Sequence, residues 1–357
     1  VYCLDALTGK HIWNYTTGSW VESSPAVYDN RIYVGSLDCR VYCLDALTGK
    51  HIWNYTTGNC VRSSPAVVDG RVYVGSYDCR IYCLDALTGA HIWNYTTGSN
   101  VASSPAVIDG RVYVGSGDDK VYCLDALTGK HIWNYTTGGS EESFPAVVDG
   151  KVYVGSYDHR VYCLDALTGA HIWNYTTGRE VRSSPAVAYG KVYVGSSDDK
   201  VYCLDALTGA PKWSYTTGSE VFSPVVADGK VYVGSADRRV YCLDALTGAH
   251  IWNYTTGNGV GSSPAVADGV VYVGSYDSNV YAFGNVIRVP EDYPTVQDAV
   301  DAATPGATIS IASGIYYESV IVNKTLTILG RPGSTTTFVG SGSGIAFTLQ
   351  AGASGST

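Results

Sequence analysis

The chain states one segment seven times over. The unit Val-Tyr-Cys-Leu-Asp-Ala-Leu-Thr-Gly begins at Val1, Val41, Ile81, Val121, Val161, Val201 and Val240, with a spacing of 40 residues throughout except for 39 after Val201. A reduced eighth start, Val280 to Phe283, ends the series. A unit this short cannot bury a core alone and must stack on its copies, and a period near 40 with several short strands per unit marks a propeller blade. In the second unit the strands read Val41–Leu44, His51–Thr56, Ser63–Val67 and Arg71–Ser76. Each is rich in Val, Ile, Tyr or Thr and bounded by Gly, Asp or Asn. The Asp69-Gly70 pair is a tight-hairpin signal, because Gly accepts the positive φ such a turn needs. No helical period occurs in the first 284 residues.

Strand order predicts closure. With the Ser-Ser-Pro-Ala-Val strand innermost and the His-Ile-Trp-Asn-Tyr strand outermost, the chain starts on the third and fourth strands of a blade. It ends on the first three strands of another, within Ser262–Phe283. Pairing the two ends completes a seventh four-stranded antiparallel blade and leaves one third strand surplus. The expectation is that Val280–Phe283 pairs with His11–Thr16 and that Val1–Leu4 is displaced.

Composition narrows the function classes. A net charge of −9 over 357 residues argues against a nucleic-acid partner, and no Lys/Arg run provides a local basic face. No apolar stretch approaches the roughly 18 residues that a membrane span needs. The chain has no Met and no secretion signal and begins inside a repeat, so it reads as a piece of a longer protein. Seven of the ten Cys (Cys3, Cys43, Cys83, Cys123, Cys163, Cys203 and Cys242) share the middle of the Val-Tyr-Cys-Leu strand. They are expected as small buried thiols, too far apart between blades to bridge. Cys39, Cys60 and Cys79 lie in loops. Cys39 and Cys79 share one loop position in adjacent repeats, which leaves a bridge between them open but not expected.

At Leu4-Asp5-Ala6-Leu7-Thr8-Gly9-Lys10-His11-Ile12-Trp13 the sequence resembles the tryptophan-docking motif of the quinoprotein, or PQQ-repeat, propellers: Ala-x-Asp-x-x-Thr-Gly-Lys-x-x-Trp. Cys3 stands where that family has its first Ala. The motif recurs with Trp53, Trp93, Trp133, Trp173, Trp213 and Trp252. The resemblance implies a seven-bladed propeller over residues 1–284, in which an indole packs on the exposed peptide face of a Gly. The WD-repeat propellers fit less well, since their Trp-Asp ending and Gly-His start are missing. The quinoprotein family includes dehydrogenases with a vicinal Cys-Cys pair and a Glu/Asn/Asp set for calcium and base chemistry. This chain has no adjacent Cys pair, and its blades are near-interchangeable where a catalytic centre needs unlike groups at one point. No catalytic, cofactor-binding or metal residue is assigned.

The copies differ in two loops. One follows Thr-Thr-Gly and the other follows Val-Gly-Ser, and a four-stranded meander puts both at one end. The face so formed carries Trp20, Arg62, Tyr77, Glu142, Tyr157, His159, Arg182, Phe222 and Tyr276, with Glu22 and Phe144 nearby. Aromatic and mixed-charge groups on rigid strands form a plausible recognition surface. Neutral drift also varies exposed loops, but drift would have touched the opposite face as well. Six His (His11, His51, His91, His131, His171 and His250) recur on the outermost strand, too far apart to share a metal. The repeated Asp after Leu and after Ser-x are expected to hold turns through backbone N–H groups. Asn14, Asn54, Asn94, Asn134, Asn174 and Asn253 head Asn-Tyr-Thr sequons and Asn323 heads another, acceptors for N-glycosylation in a secreted parent.

After Gly284 the repeat stops. Thr295 is placed as the cap of a short helix, followed by strands at Thr308–Ala312, Ser319–Val322, Thr325–Leu329 and Thr336–Val339, with Ala351–Thr357 frayed. Tyr293-Pro-Thr-Val-Gln-Asp-Ala-Val, Gly314-Ile-Tyr-Tyr-Glu-Ser-Val and Asn323-Lys-Thr-Leu-Thr-Ile-Leu-Gly resemble the first coils of the right-handed parallel β-helix of pectin-lyase-like and NosD-like surface proteins. That implies a truncated β-helix over residues 285–357. The expected whole is therefore all-β. It is read as a non-catalytic, monomeric scaffold or binding module of an extracellular or cell-surface multi-domain protein, recognising a protein or glycan through one loop face. The alternatives are a PQQ-dependent dehydrogenase-like enzyme, and a carbohydrate-active enzyme whose catalytic β-helix is missing.

Overall fold

The structure, a computed structural model, describes residues 1–6, 8–267, 269–284, 286–303, 307–323, 326–330, 335–339 and 345–350. The Ala351–Thr357 segment lies outside them. Two compact units are present, Val1–Ser263 and Pro264–Thr357. The last repeat's strands thus fall in the second unit, although the repeat pattern runs to Gly284.

The first unit holds six four-stranded antiparallel sheets, each a plain meander in chain order. One blade runs Ala66–Val68, Arg71–Ser76, Arg80–Asp85 and His91–Thr96. Its two middle strands are buried on both faces because a neighbouring blade covers each side, whereas the outermost strand keeps only its Trp buried. The innermost strand is shorter than the Ser63–Val67 expected. Ser63 leaves the ladder so that its hydroxyl accepts from Gly75 N–H at 3.0 Å, and Ser64 N–H donates to Ser104 Oγ of the next repeat at 2.7 Å.

Blades are joined through the docking motif. The indole of Trp53 lies on Gly89 so closely that a Cβ added there would stand 2.6 Å from the ring. Its Nε1 donates to Ala86 O at 3.1 Å, and Tyr33 Oη donates to the same carbonyl at 3.0 Å. Tyr33, Cys43 and Trp53 of one blade and Val72, Val74 and Leu84 of the next form one buried cluster. The same bond recurs from Trp13 to Ala46 O at 3.0 Å, and from Trp93, Trp133, Trp173 and Trp213 to their own Ala carbonyls. Trp252 packs beside Tyr232, with ring centroids 6.1 Å apart. All ten Cys are free thiols, and Cys43, Cys83, Cys123, Cys163, Cys203 and Cys242 are fully buried. Cys3 is half-buried.

The terminal strands differ from expectation. Val1–Leu4 is not displaced: Tyr2–Leu4 pairs antiparallel with His11–Asn14, taking the place expected for Val280–Phe283. The local contact wins because the Asp5–Gly9 turn already joins the two strands, with Gly9 N–H on Asp5 O at 2.8 Å. Val280–Phe283 pairs with Val270–Gly274, which in turn pairs with Ala265–Ala267, so that sheet has three strands. The inventory is that of an all-β, seven-bladed propeller with one short helix among the described residues: six blades are four-stranded antiparallel sheets, and the strands of the seventh are divided between a two-stranded and a three-stranded sheet.

In the second unit the helix Val296–Ala302 is capped by Thr295, whose hydroxyl accepts from Asp298 N–H at 3.1 Å. Val286–Val289, Thr308–Ile311 and Thr327–Gly330 form a parallel sheet. Gly314–Tyr316 and Thr335–Val339 form a second parallel pair, and Ile345–Gln350 joins it antiparallel. Ser319–Val322 is not a strand. The segment turns to the helix instead: the Glu318 carboxylate accepts from Val296 and Gln297 N–H at 3.0 and 2.9 Å, and Ile321 N–H donates to Gln297 Oε1 at 2.7 Å.

Candidate functional site: the mouth of the loop face

Hydrogen bonds define two ends of the first unit. At one, the hairpin and the Asp-Ala-Leu-Thr-Gly turn meet, as in Ala86 N–H to Gly70 O at 2.9 Å. There each turn Asp is an acceptor: Thr48 N–H and Oγ1 donate to Asp45 Oδ1 at 2.7 and 2.6 Å, and these bonds hold the carboxyl below its ordinary range. At the other end the two variable loops meet, as in Thr57 N–H to Cys39 O and Tyr77 N–H to Cys60 O, both 2.9 Å. The second Asp series ties that end down. Asp78 Oδ2 accepts from Gly58 N–H at 2.7 Å and from Tyr82 Oη at 2.6 Å. Both Asp series therefore brace turns, as expected.

A cavity of about 420 Å³ opens at the variable end, lined by Glu22, Arg62, Ala102, Glu142, Arg182 and Gly261. These residues occupy one column of the repeat, in which Glu, Arg, Ala and Gly alternate between blades. Beneath them runs a ring of serines bonded blade to blade. Ser24 N–H donates to Ser64 Oγ at 2.8 Å, and Ser184 N–H donates to Ser223 Oγ at 2.9 Å. Phe144 interrupts the ring with an apolar side chain that lines the cavity.

The charged residues are organised as two similar clusters. In one, Arg62 Nε meets Glu22 at 3.0 Å, its NH1 donates to Tyr77 Oη at 3.0 Å, and its guanidinium lies 5.0 Å from the Tyr77 ring centre. In the other, Tyr157 Oη donates to Glu142, and the Arg182 guanidinium lies 4.9 Å over the Tyr157 ring. Arg182 is held less fully. Its side chain is 51% exposed, and its carboxylate partner Glu220 stands 4.0 Å away. A second cavity of about 370 Å³ continues from Arg182, lined by Arg179, Glu180, Ser197, Asp199, Ser219 and Glu220.

Of the nine residues assigned to this face, Arg62, Tyr77, Glu142, Tyr157 and Arg182 are thus brought together. Trp20 is 77% exposed but lines a separate cavity of about 500 Å³ with Val1, Tyr2 and Tyr15. His159 is exposed in a turn at φ 70° and lies near Glu180 rather than at the mouth. Phe222 adjoins the one-residue deletion of its repeat. The 39-residue spacing puts it in Arg182's column by count, yet Ser223 holds the Ser184 column, and Phe222 N–H is drawn to Gly234 O at 3.1 Å. Tyr276 is 69% exposed and belongs to the second unit.

Sequence reasoning misses two residues. Glu220 shares the column of Trp20 and Cys60, and no sequence signal shows that it stands beside Arg182. Glu141 is the acidic member of a column otherwise filled by Val21, Val61, Val101, Val181, Val221 and Val260, a signal visible in the repeat comparison. It has no exposed surface; Thr137 Oγ1 donates to Oε1, and Oε2 has no hydrogen-bond partner. Burial pushes its carboxyl up to about 8. Elsewhere, the recurrent His lie on the outermost strand; His51, His91, His131, His171 and His250 stack on a Tyr of the preceding blade, as His91 on Tyr55 at 6.2 Å, whereas His11 meets Tyr2 edge-on at 6.4 Å. The sequon Asn54 is exposed, and its amide bonds to His51 Nε2 at 2.9 Å. Among the described residues no group of three or more His, Cys, Asp or Glu is placed to hold a metal ion, and no helix is long and apolar enough to cross a membrane.

Docked tryptophans, interchangeable blades and a single variable mouth define a PQQ-repeat propeller. The chain belongs to the family described as outer membrane protein assembly factor BamB, which matches residues 1–66, 40–144, 121–222 and 216–286. Its fold is similar to the crystal structure of BamB from Moraxella catarrhalis, with a TM-score of 0.69 at 22% identity, over 78% of this chain and 89% of that one. It is also similar to the computationally designed Ika8 protein, with a TM-score of 0.72 at 22% identity, over 79% and 89% of the two chains. No curated protein matches the sequence.

Proposed function

We infer that the chain is a non-catalytic protein-binding scaffold, part of an extracellular or cell-surface multi-domain protein, and that it takes a polypeptide partner at the mouth of the variable loops. The observation that carries this reading is the column Glu22, Arg62, Ala102, Glu142, Arg182 and Gly261. The blades are nearly identical, yet this one column varies among Glu, Arg, Ala and Gly at the cavity. Membership of a family described as an outer membrane protein assembly factor supports a scaffold role in contact with other proteins. A peptide of mixed charge suits the mouth better than a glycan. The Tyr77 and Tyr157 faces on which a sugar would stack are already covered by guanidinium groups, whereas Arg182 and the carboxylates beside it are open to exchange partners. No cofactor is required. The two small parallel sheets after Gly284 support the start of a β-helix in the parent, and the exposed Asn-Tyr-Thr strands support N-glycan acceptance there.

The test is a combined peptide and glycan array probed with the full chain and with an Arg62→Ala/Arg182→Ala variant. Binding of mixed-charge peptides that is lost in the variant supports the reading. Glycan binding alone, or a silent array, refutes it.

A further inference from the structure

Cys39 and Cys60 lie in the two variable loops, Cys39 after Val-Gly-Ser of one repeat and Cys60 after Thr-Thr-Gly of the next. The fold brings these loops together. Strand pairing aligns Arg40 with Thr56, one residue beyond Cys39 on one side and four short of Cys60 on the other. Thr57 then donates to Cys39 O through both its N–H at 2.9 Å and its hydroxyl at 3.0 Å. The same hydroxyl bonds to Asn59 O at 2.6 Å, which folds the loop back toward Cys39. Cys60 Sγ reaches Leu37 O at 3.4 Å, two residues from Cys39. Cys79 shares the Cys39 column, but the residue facing it is Asn100, so it has no thiol opposite. Both Cys39 and Cys60 are half-buried and free, unlike the six fully buried strand thiols.

We propose that Cys39 and Cys60 form a disulfide in an oxidising compartment, and that the bond fastens the segment leading into Arg62 at the mouth. In the reaction one Sγ–Sγ bond forms and two S–H bonds break; the two protons and two electrons go to the oxidant, whose S–S bond becomes two S–H groups or whose N=N bond becomes HN–NH. That oxidant is the disulfide of a thiol–disulfide oxidoreductase in the cell, or an azodicarboxamide in vitro. The pairing replaces the Cys39–Cys79 bridge that sequence alone left open.

The native full chain is oxidised with diamide, alkylated and cut with trypsin, which separates residues 32–40, 51–62 and 72–80 and so places Cys39, Cys60 and Cys79 on three peptides. The expected result is a linked 32–40/51–62 species lighter by two hydrogens, with Cys79 alkylated. A Cys79→Ser chain keeps the link and a Cys60→Ser chain loses it. A link between 32–40 and 72–80, or full alkylation of Cys39 and Cys60 after oxidation, overturns the proposal. The Cys39→Ser chain serves if Cys60→Ser does not fold, and in it Cys60 must remain alkylatable.

Discussion

Glu141 occupies a pocket shaped for valine, and its energetics follow from that. In the unfolded chain the carboxyl titrates near its ordinary 4.5; folded, burial raises it to about 8. Between those values the folded chain holds a proton that the unfolded chain has released, so stability falls as pH rises through that window and levels off above about 8. A tenfold change in proton affinity between the two states corresponds to about 1.4 kcal/mol. Glu141→Val is therefore expected to be more stable than wild type, with the gap widening from pH 5 to pH 9 by on the order of 4 kcal/mol; urea melts at the two pH values check it. The glycines offer a paired residue-scale test. Gly110 and Gly129 have the same left-handed φ of about 70°, but a Cβ meets nothing within 4 Å at Gly110 and stands 2.6 Å from Trp93 at Gly129. Gly110→Ala should cost about 1 kcal/mol, the left-handed penalty alone. Gly129→Ala should cost roughly 3 kcal/mol or more, because the indole loses its seat. Equal losses would mean that the docking contact contributes nothing.

At the scale of the element, the outermost strand carries a stacking ladder between blades: Tyr135 on His171 at 6.0 Å and Tyr215 on His250 at 6.1 Å. Pro211 breaks it, leaving Tyr175 with Tyr202 as its ring neighbour at 5.7 Å. Pro211→His is expected to restore a rung and raise stability by about 0.5–1 kcal/mol, read from the thermal midpoint. Such elements are legible because a period of 40 residues exposes every strand seven times over, and a single weak signal becomes a strong one. What is not legible has non-repeating causes. Ser63 leaves its strand to satisfy a glycine N–H of the neighbouring strand, Tyr2–Leu4 wins a pairing that two copies could claim, and Glu318 pulls its segment onto a helix start. In each case a polar group's local partner decides against a pattern of hydrophobicity.

On the whole-molecule scale, the two ends of the propeller contrast. The turn end repeats one exposed leucine, as in Leu127 and Leu167, at 59% and 61% exposure. The loop end varies one column among Glu, Arg, Ala and Gly at the mouth. Five of the nine residues read from sequence as the binding face do meet there, because repeat differences report the column of a residue. They leave Phe222 between two columns, because the one residue missing from its repeat can be placed on either side of it. The most direct measurement is calorimetric titration of the strongest array peptide into wild type, an Arg62→Ala/Arg182→Ala variant and a Leu127→Ser/Leu167→Ser variant. The account predicts at least about a tenfold loss of affinity, some 1.4 kcal/mol, in the arginine variant and none in the leucine variant. Unchanged binding in the arginine variant, or loss confined to the leucine variant, would contradict it.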